Sequence, residues 1–373
     1  MQLIPTPDSV SLAAANVFDM LFRGGVADLR RTPARIIDEA PKRTIYRYLP
    51  PDDDLPHRAL PLLLVPPLAA PSACFDLRRG CSLAEHMLQA GHRTYMVEYG
   101  HIAFSDRDLG LEHWVDDIVP NAIRRVSEDN DGAPVQVLGW CLGGIMSLLA
   151  LAADADLPVE SVAMVASPFD FTRVRMFGPI RGVANVTNGM LGTALYRLLG
   201  GAPAPLVRRG FQLSSIDKYL TKPLAVLSHL DDRDFLAQIE AVDDFIANMH
   251  AYPGRTMGQL YHRFFRVNDL ADGRLRLGGD DIDLADVRVP VLAVAGRTDT
   301  LAPRAAVHHV AGLLTGAPEV GLKTGPGGHL GVLTGRRAAG TTWRWIDEFF
   351  ARSEGTTAPR PAAPLAKGAA AGR

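Results

Sequence analysis

The chain has 373 residues, 47% hydrophobic and 21% charged, so it can bury a large core, and one large domain with an insertion is the expected layout. A formal net charge of −2 gives no reason to expect nucleic acid as a partner. Three cysteines (Cys74, Cys81 and Cys141) cannot build a disulfide framework and carry no metal-ligand spacing, so no metal or other cofactor is expected. No apolar run reaches the length of a transmembrane segment, and the N-terminus lacks the basic-then-apolar pattern of a signal peptide, so a cytoplasmic chain is expected.

Taken in order, Asp8 or Ser9 is placed to cap a helix running to about Phe22 and ended by Gly24-Gly25. Val10, Phe18, Leu21 and Phe22 form its apolar face, which is expected to lie on the main domain rather than to meet lipid or a partner protein. Residues 44–49 alternate like a half-exposed strand, so 1–57 reads as a helical arm and an edge strand. Residues 60–65 are a fully apolar strand of the kind buried in a parallel sheet. A helix over 82–90 and a strand over 94–99 complete a β-α-β unit with it. A helix over 111–128, a strand over 135–138, a helix over 145–153 and a strand over 161–166 continue the alternation. Residues 58–171 are thus the first part of an α/β core with a mostly parallel central sheet.

From 172 to 284 the short apolar strands stop, and the chain reads as an inserted helical cap or lid. Its aromatic cluster Tyr261, Phe264 and Phe265 fits ordinary cap core, or the lining of a substrate passage. The sheet resumes with a strand over 289–296, a helix over 305–314, a strand over 320–324 and a closing helix over 341–351, giving a second core part over 285–351. Residues 352–373 are rich in Ala, Pro, Gly and Thr and read as a disordered tail.

The chemistry concentrates between the strand ending at Leu138 and the helix starting near Ile145, in Gly139-Trp140-Cys141-Leu142-Gly143-Gly144. A strand, a Gly-x-Cys-x-Gly turn and a helix make the context of a nucleophile elbow, with Cys in the place usually held by Ser. Gly139 and Gly143 remove side chains that would collide across the tight turn. Cys141 then sits at a helix N-terminus, where the dipole and amide groups favour negative charge. The Leu142 amide is placed to donate to an oxyanion, and Leu68, after the strand over 60–65, is the candidate for the second donor. Cys141 alone would also fit a buried structural cysteine.

Two further residues decide the reading. Asp299 follows one strand and His329 follows the next, in Gly-Pro-Gly-Gly-His. Both lie just past strand C-terminal ends, where an open parallel sheet gathers ligands. The order nucleophile, acid, base is that of the α/β-hydrolase fold. Cys141 attacks an acyl carbon, His329 carries its proton, and Asp299 orients His329. Asp299 could instead cap the following helix, and His329 could be a plain loop residue. His113, His262, His308 and His309 sit on helix-like stretches and read as structural.

At these residues the chain resembles the polyhydroxyalkanoate synthases, whose lipase-like box carries Cys in place of Ser. The resemblance runs through Val65-Pro66-Pro67, Phe75-Asp76-Leu77-Arg78, the box itself, residues 268–275, Asp299 with Ala302-Pro303, and Gly328-His329. It covers about 42 to 350 and suits the shorter synthases, which work with a second subunit. It implies transfer of (R)-3-hydroxyacyl groups from coenzyme A to Cys141 and then to a hydroxyl, as in a growing polyester. The implied partners are an acyl-CoA substrate, a second synthase subunit or a second copy of the chain, and a polyester granule surface. The pattern is broken at 68–74, where the family has Asn and paired Tyr, at Thr300, where it often has His, and at 241–245, where it has a Trp-rich stretch. A thioesterase or esterase that passes the acyl group to water, and an inactive granule-associated or partner-binding protein, remain as alternatives.

Overall fold

The computed structural model describes residues 6–50 and 58–354 apart from 176–177, 179–180, 183–185, 188 and 214–215, so the tail expected over 355–373 lies outside the described residues. Among the described residues, eight strands form the central sheet: β1 (Ala34–Ala40), β2 (Arg43–Tyr48), β3 (Pro61–Val65), β4 (Arg93–Glu98), β5 (Val135–Trp140), β6 (Val159–Val165), β7 (Val291–Gly296) and β8 (Val320–Gly325). Their spatial order is β1-β2-β4-β3-β5-β6-β7-β8. Only β2 runs against the others: it pairs antiparallel with β1 and β4, and every remaining pair is parallel. Each of β3, β5, β6 and β7 is buried along its whole length, as continuous apolar runs covered on both faces must be. This order, with the elbow at the end of β5, is the α/β-hydrolase fold.

Strand β1 escapes the sequence reading. Ala34–Ala40 is an edge strand with a bulge between Ile36 and Asp38 and mostly exposed or half-buried side chains, so it carries no apolar alternation. The first helix, α1 (Pro7–Phe22), starts one residue before Asp8, and its cap is Thr6 rather than Asp8 or Ser9. The Ser9 amide donates to the Thr6 hydroxyl, and Pro7 fills the first helical position, where no N–H is needed. Helix α2 (Leu83–Gln89) is capped by Ser82, whose hydroxyl accepts from the Glu85 amide. The helix expected over 111–128 contains a π segment, His113–Ile118, before α3 (Val119–Glu128). Pro120 has no N–H to continue a regular ladder, and the wide turn precedes it. Helix α4 (Leu142–Ala153) starts directly at the elbow.

Between β6 and β7 lie α5 (Met190–Leu199), α6 (Ala204–Leu213), α7 (Ile216–Leu227), α8 (Arg233–Ala247) and α9 (Gly254–Gln259), which runs on as a π segment, Leu260–Val267. Two short antiparallel pairs interrupt them, Gly201–Ala202 with Tyr252–Pro253 and Arg274–Leu277 with Asp280–Asp283. In the second pair Leu275, Leu277 and Ile282 join the main core. The two ends of this inserted segment are tied together: Asn268 donates to the Asp170 carboxylate at 3.1 Å and accepts from the Phe171 amide at 2.8 Å. The closing helix, α10 (Arg344–Ser353), covers the sheet through Ile346, Phe349 and Phe350.

Helix α1 rests on the inserted segment. Asn16, its one buried residue, donates to the Leu230 carbonyl, and Asp19 pairs with Arg233 at 2.6 Å. Phe18, Leu21 and Phe22 stay exposed. The expectation that this apolar face packs on the main domain is therefore overturned; polar contacts to the start of α8 hold the helix instead.

The stretch Phe75-Asp76-Leu77-Arg78 has a structural task in this arrangement. The buried Asp76 carboxylate accepts from the Thr32 amide at 2.6 Å and hydroxyl at 3.0 Å, anchoring the arm. The buried Arg78 guanidinium donates to Asp234 and Gln238, anchoring α8.

Candidate active site

The elbow has the geometry that its glycines allow. Cys141 has φ 53° and ψ −120°, a left-handed conformation that a non-glycine residue adopts only under constraint. Its amide donates to the Val165 carbonyl at 2.9 Å, which fixes the turn to β6. A Cβ at Gly139 would lie 2.5 Å from the Gly144 backbone, and one at Gly143 would lie 2.1 Å from the Val65 carbonyl oxygen. Gly144 is equally confined, since a Cβ there would lie 2.3 Å from Ser167 Oγ. Both glycines singled out from the sequence are thus sterically required, and Gly144 is a third. Two other non-glycine residues with positive φ follow neighbouring strands: Ala69 (63°) after β3 and Ala166 (52°) after β6. Three of the six described non-glycine residues with positive φ, Ala69, Cys141 and Ala166, thus follow adjacent strands of the sheet.

The structure brings Cys141, His329 and Asp299 together. His329 Nδ1 lies 2.8 Å from Asp299 Oδ2, with the two side chains 10% and 0% exposed. Cys141 lies close enough to the same imidazole to act on its charge, and Nε2 is the nitrogen that Asp299 leaves free for it. Asp299 spends its other oxygen on the Leu301 and Ala302 amides, each at 2.8 Å. It therefore closes the loop that precedes the next helix and partners His329; that helix, Arg304–His308, is capped by Pro303 with no side-chain bond, so Asp299 is not its cap. Burial raises the energy of the Asp299 carboxylate, but the His329 charge, its hydrogen bond and the two amides outweigh that and hold the carboxyl below the ordinary range. Burial likewise opposes charge on His329, yet the facing Asp299 and Cys141 hold the imidazole well above its usual value.

The loops carrying the acid and the base are clamped to each other. The Arg297 amide donates to the Gly325 carbonyl at 2.9 Å, and the Thr298 amide to the Gly327 carbonyl at 3.0 Å. Gly327 has φ 107°, and a Cβ there would meet the Gly331 backbone at 2.7 Å. The glycines before His329 thus let its loop close on the Asp299 loop.

Leu142 opens α4 beside the sulfur, with its amide among the free amides of the first turn. Leu68 is buried where β3 leaves the sheet, and the nearby Val65 and Pro66 carbonyls abut Gly143, so this loop does border the elbow.

Cys141 is partly exposed, whereas Cys74 and Cys81 are buried. Burial pushes both of those thiols up, and Cys81 Sγ donates to the Thr334 carbonyl at 2.8 Å. His308 and His309 bind the backbone carbonyls of Lys323 and Ala271, His113 accepts from the Gly110 amide, and His262 contacts Thr193. All four are engaged away from Cys141. Phe264 and Phe265 pack on Phe171 with ring centres at 5.4 and 5.3 Å, and Tyr261 is buried against Gly192, so this cluster fills the inserted segment.

Two neighbours of the site have no role in the sequence reading. The Trp140 indole N–H donates to the His329 carbonyl at 3.2 Å, and its ring lies 5.2 Å from the imidazole and 6.0 Å from Phe245. It ties the base loop to the elbow, while Phe245 of α8 packs against the indole. Tyr252 lies close enough to Cys141 that, after burial, the sulfur's charge pushes its phenol up. Trp140 is visible inside the Gly-x-Cys-x-Gly turn; nothing in the sequence places Tyr252 there.

No family model matches the chain. Among curated proteins it is similar to the poly(3-hydroxyalkanoate) polymerase subunit PhaC of Allochromatium vinosum, 25% identical over 334 residues, covering 88% of this chain and 92% of that one. The PhaC subunit of Thiocystis violacea is likewise 25% identical, over 88% of this chain and 92% of its own. The PhaC subunit of Cupriavidus necator is 24% identical over 93% of this chain, which spans 60% of that longer protein. Solved structures include alpha/beta hydrolase domain-containing protein 10 from mouse (TM-score 0.49, 13% identity, 86% of this chain and 99% of that one) and MenH from S. aureus (TM-score 0.49, 11% identity, 83% and 98%). The sequence likeness extends over most of the chain, well beyond the motifs, and is to polyhydroxyalkanoate polymerase subunits.

Proposed function

We propose that the protein is an acyltransferase that moves (R)-3-hydroxyacyl groups from coenzyme A thioesters, through an acyl-enzyme on Cys141, to a hydroxyl acceptor such as the end of a growing polyester. The observation that carries this reading is a cysteine in the strained elbow with His329 and Asp299 in line behind it. The curated relatives supply the substrate class.

Each residue then has a balanced task. The Cys141 sulfur, its proton held on His329 Nε2, attacks the thioester carbonyl; the C–S bond to coenzyme A breaks, and His329 returns a proton to the departing thiolate. The acceptor hydroxyl gives its proton to His329 as its oxygen attacks the acyl-Cys141 carbonyl. The C–S bond to Cys141 breaks, an ester forms, and the sulfur is regenerated. Asp299 keeps Nδ1 protonated and Nε2 facing the sulfur throughout. The Leu142 and Leu68 amides are the donors proposed for the oxyanion in both steps. A thioester exchanging onto a thiolate is nearly balanced, so the acyl-enzyme can wait for a hydroxyl.

The inserted segment over 172–284 is proposed to act as the cap that limits water at this stage. Passage of the acyl group to water, giving a thioesterase, is the second reading; the departures at 68–74 and 241–245 favour keeping it. Among the described residues no helix is long and apolar enough to cross a membrane. Work in the cytoplasm at a polyester granule surface, with a second synthase subunit or a second copy of the chain, is the setting that fits the proposed reaction. Incubation with (R)-3-hydroxybutyryl-CoA tests it: coenzyme A release with polymer supports the first reading, release with free acid the second, and no release by wild type removes both.

A further inference from the structure

We propose that an arginine-lined cleft between the inserted segment and the loop after β4 binds the phosphate groups of a coenzyme A thioester, an inference that rests on the acyl-CoA reading above. The cleft measures about 520 Å³ and is open to solvent. Arg107 reaches it from the core loop, Tyr196 and Arg197 from α5, and Arg255, His262 and Arg263 from α9 and its extension. Four arginines thus face a single acidic lining residue, Asp108.

Their present partners leave room for an anion. Arg255 pairs with Glu112 at 2.5 Å, Arg263 with Asp269 at 3.4 Å, and Arg107 only loosely with Asp108 at 3.9 Å while resting over the Phe104 ring. Arg197 has no ion-pair partner among the described residues, and its charge, with burial first and Arg266 next, works against a proton on His262. A cluster of four guanidiniums at the rim of a cleft, one of them without an ion-pair partner among the described residues and one only loosely paired, is a site for several phosphate oxygens, since each guanidinium offers a planar fork of donors. Tyr196 and His262, edge to face at 6.3 Å, add ring surface for a base.

The floor is rigid, so binding there orders little. The Arg255 amide donates to the Arg107 carbonyl at 2.7 Å, and the Thr256 amide to the Leu109 carbonyl at 3.1 Å. Gly254 fits because a Cβ there would already touch the Gly200 and Arg107 carbonyl oxygens at 3.0 and 3.1 Å. A preformed site of this kind keeps its interaction energy for the ligand. The cleft also lies within reach of the sulfur. Tyr252, close enough to Cys141 for the sulfur's charge to act on its phenol, is three residues from Arg255, a span of at most about 11 Å of chain. An extended pantetheine arm is longer than that.

The test compares kcat/KM for (R)-3-hydroxybutyryl-CoA with that for the matching pantetheine thioester, which lacks the phosphates. Arg197→Ala should lower the ratio of the two by about tenfold or more, the usual effect of losing a charge-assisted hydrogen bond. Arg197→Lys should recover part of it, and raised salt should shrink the wild-type ratio. An unchanged ratio in folded Arg197→Ala and Arg107→Ala proteins overturns the proposal. Calorimetry with free coenzyme A separates the cleft from the reaction. Binding that weakens about tenfold in Arg197→Ala, with neither thioester turned over by wild type, supports the cleft and removes the acyl-transfer reading. Turnover of both thioesters with equal coenzyme A affinity in wild type and variant does the reverse. Inorganic pyrophosphate should displace coenzyme A; failure to do so means the phosphates are not what the cleft recognises.

Discussion

In α4, ten of the twelve residues are buried, and the helix that follows Cys141 is packed on every side. In α5, Met190, Leu191 and Leu198 stand 73%, 59% and 81% exposed, and Leu224 of α7 stands 70% exposed. The two regions share one chain but differ in what fixes them. The elbow is fixed by contacts that leave no space for one added carbon, so its chemistry is set by the core. The inserted helices have apolar faces without cover among the described residues, and the role proposed for them is access and acceptor choice rather than the attack on the acyl carbon.

The largest effects should therefore fall at the elbow. Cys141→Ala should abolish acylation by a hydroxyacyl thioester, while Cys74→Ala and Cys81→Ala should still form the acyl-enzyme. Mass spectrometry of the intact protein reads this directly, and an adduct on Cys141→Ala would break the assignment. Gly143→Ala tests the same region through packing. Its Cβ would sit 2.1 Å from a backbone carbonyl oxygen that has no rotamer to escape through. A loss of several kcal/mol in denaturant unfolding, or failure to fold, is expected; overpacking a tight site costs about 1–3 kcal/mol even where side chains can shift.

Next come the acid and the base. Removing His329 or Asp299 breaks one unit, so the rate losses of His329→Ala and Asp299→Asn should be strongly non-additive in the double variant. Their pH dependence follows from the direction of each shift. The folded state keeps the His329 proton above the ordinary value of 6.5, so its contribution to stability is full below that pH and fades as pH rises through the raised value. Asp299 is lowered from 3.8, so its contribution is full above that pH and fades as pH falls through the lowered value. The stability gap between wild type and Asp299→Asn should be widest between those two ordinary values, 3.8 and 6.5, and should narrow on either side. A gap that does not vary with pH would mean the two groups are not coupled.

The same contrast explains what the sequence could disclose. Strands β3, β5, β6 and β7 are unbroken apolar runs because both faces are covered, and that makes them readable. The elbow was readable because its steric demands reduce to glycines at fixed offsets from Cys141. The pairing of Asp299 with His329 is readable because both follow C-terminal ends of neighbouring strands, where an open parallel sheet gathers ligands. Strand β1 was not, because an edge strand with side chains in water has no alternation to show. The seat of α1 was not, because Asn16, Asp19 and Arg233 hold it by polar contacts that leave no hydrophobic period. Tyr252 is set near Cys141 by a stretch whose two-residue pairing, Tyr252–Pro253 with Gly201–Ala202, comes from tertiary packing alone.

A smaller effect is expected at Trp140, where core and insertion meet. Trp140→Phe keeps a ring between Phe245 and His329 but removes the N–H donated to the His329 carbonyl. One neutral hydrogen bond contributes about 0.5–1.5 kcal/mol, so a several-fold loss in kcat with KM little changed is expected. A shift of the pH profile should accompany it, because the loop that sets the His329–Cys141 contact is loosened. Loss of stability alone, with the profile unmoved, would make the indole a core filler.

The smallest effect on the folded chain is expected on the exposed apolar side chains of the insertion. Leu198→Ser and Leu224→Ser remove little that is out of water, and surface changes of this kind usually stay within about 0.5 kcal/mol. Neither residue lies in the Cys141 machinery, so acyl-enzyme formation from a hydroxyacyl thioester should proceed at the wild-type rate. The two measurements together sharpen the contrast between core and insertion. If unfolding of the double variant costs well over 1 kcal/mol, and the loss grows with protein concentration, the leucines are covered in solution by a second copy of the chain. The insertion would then be fixed by packing just as the elbow is, and the contrast drawn from exposure would fail. If stability and acylation hold while the split between transfer to a hydroxyl and release to water moves, the insertion acts on the acceptor step alone. That outcome assigns the bond-making chemistry to the core and the choice of acceptor to the helices between β6 and β7.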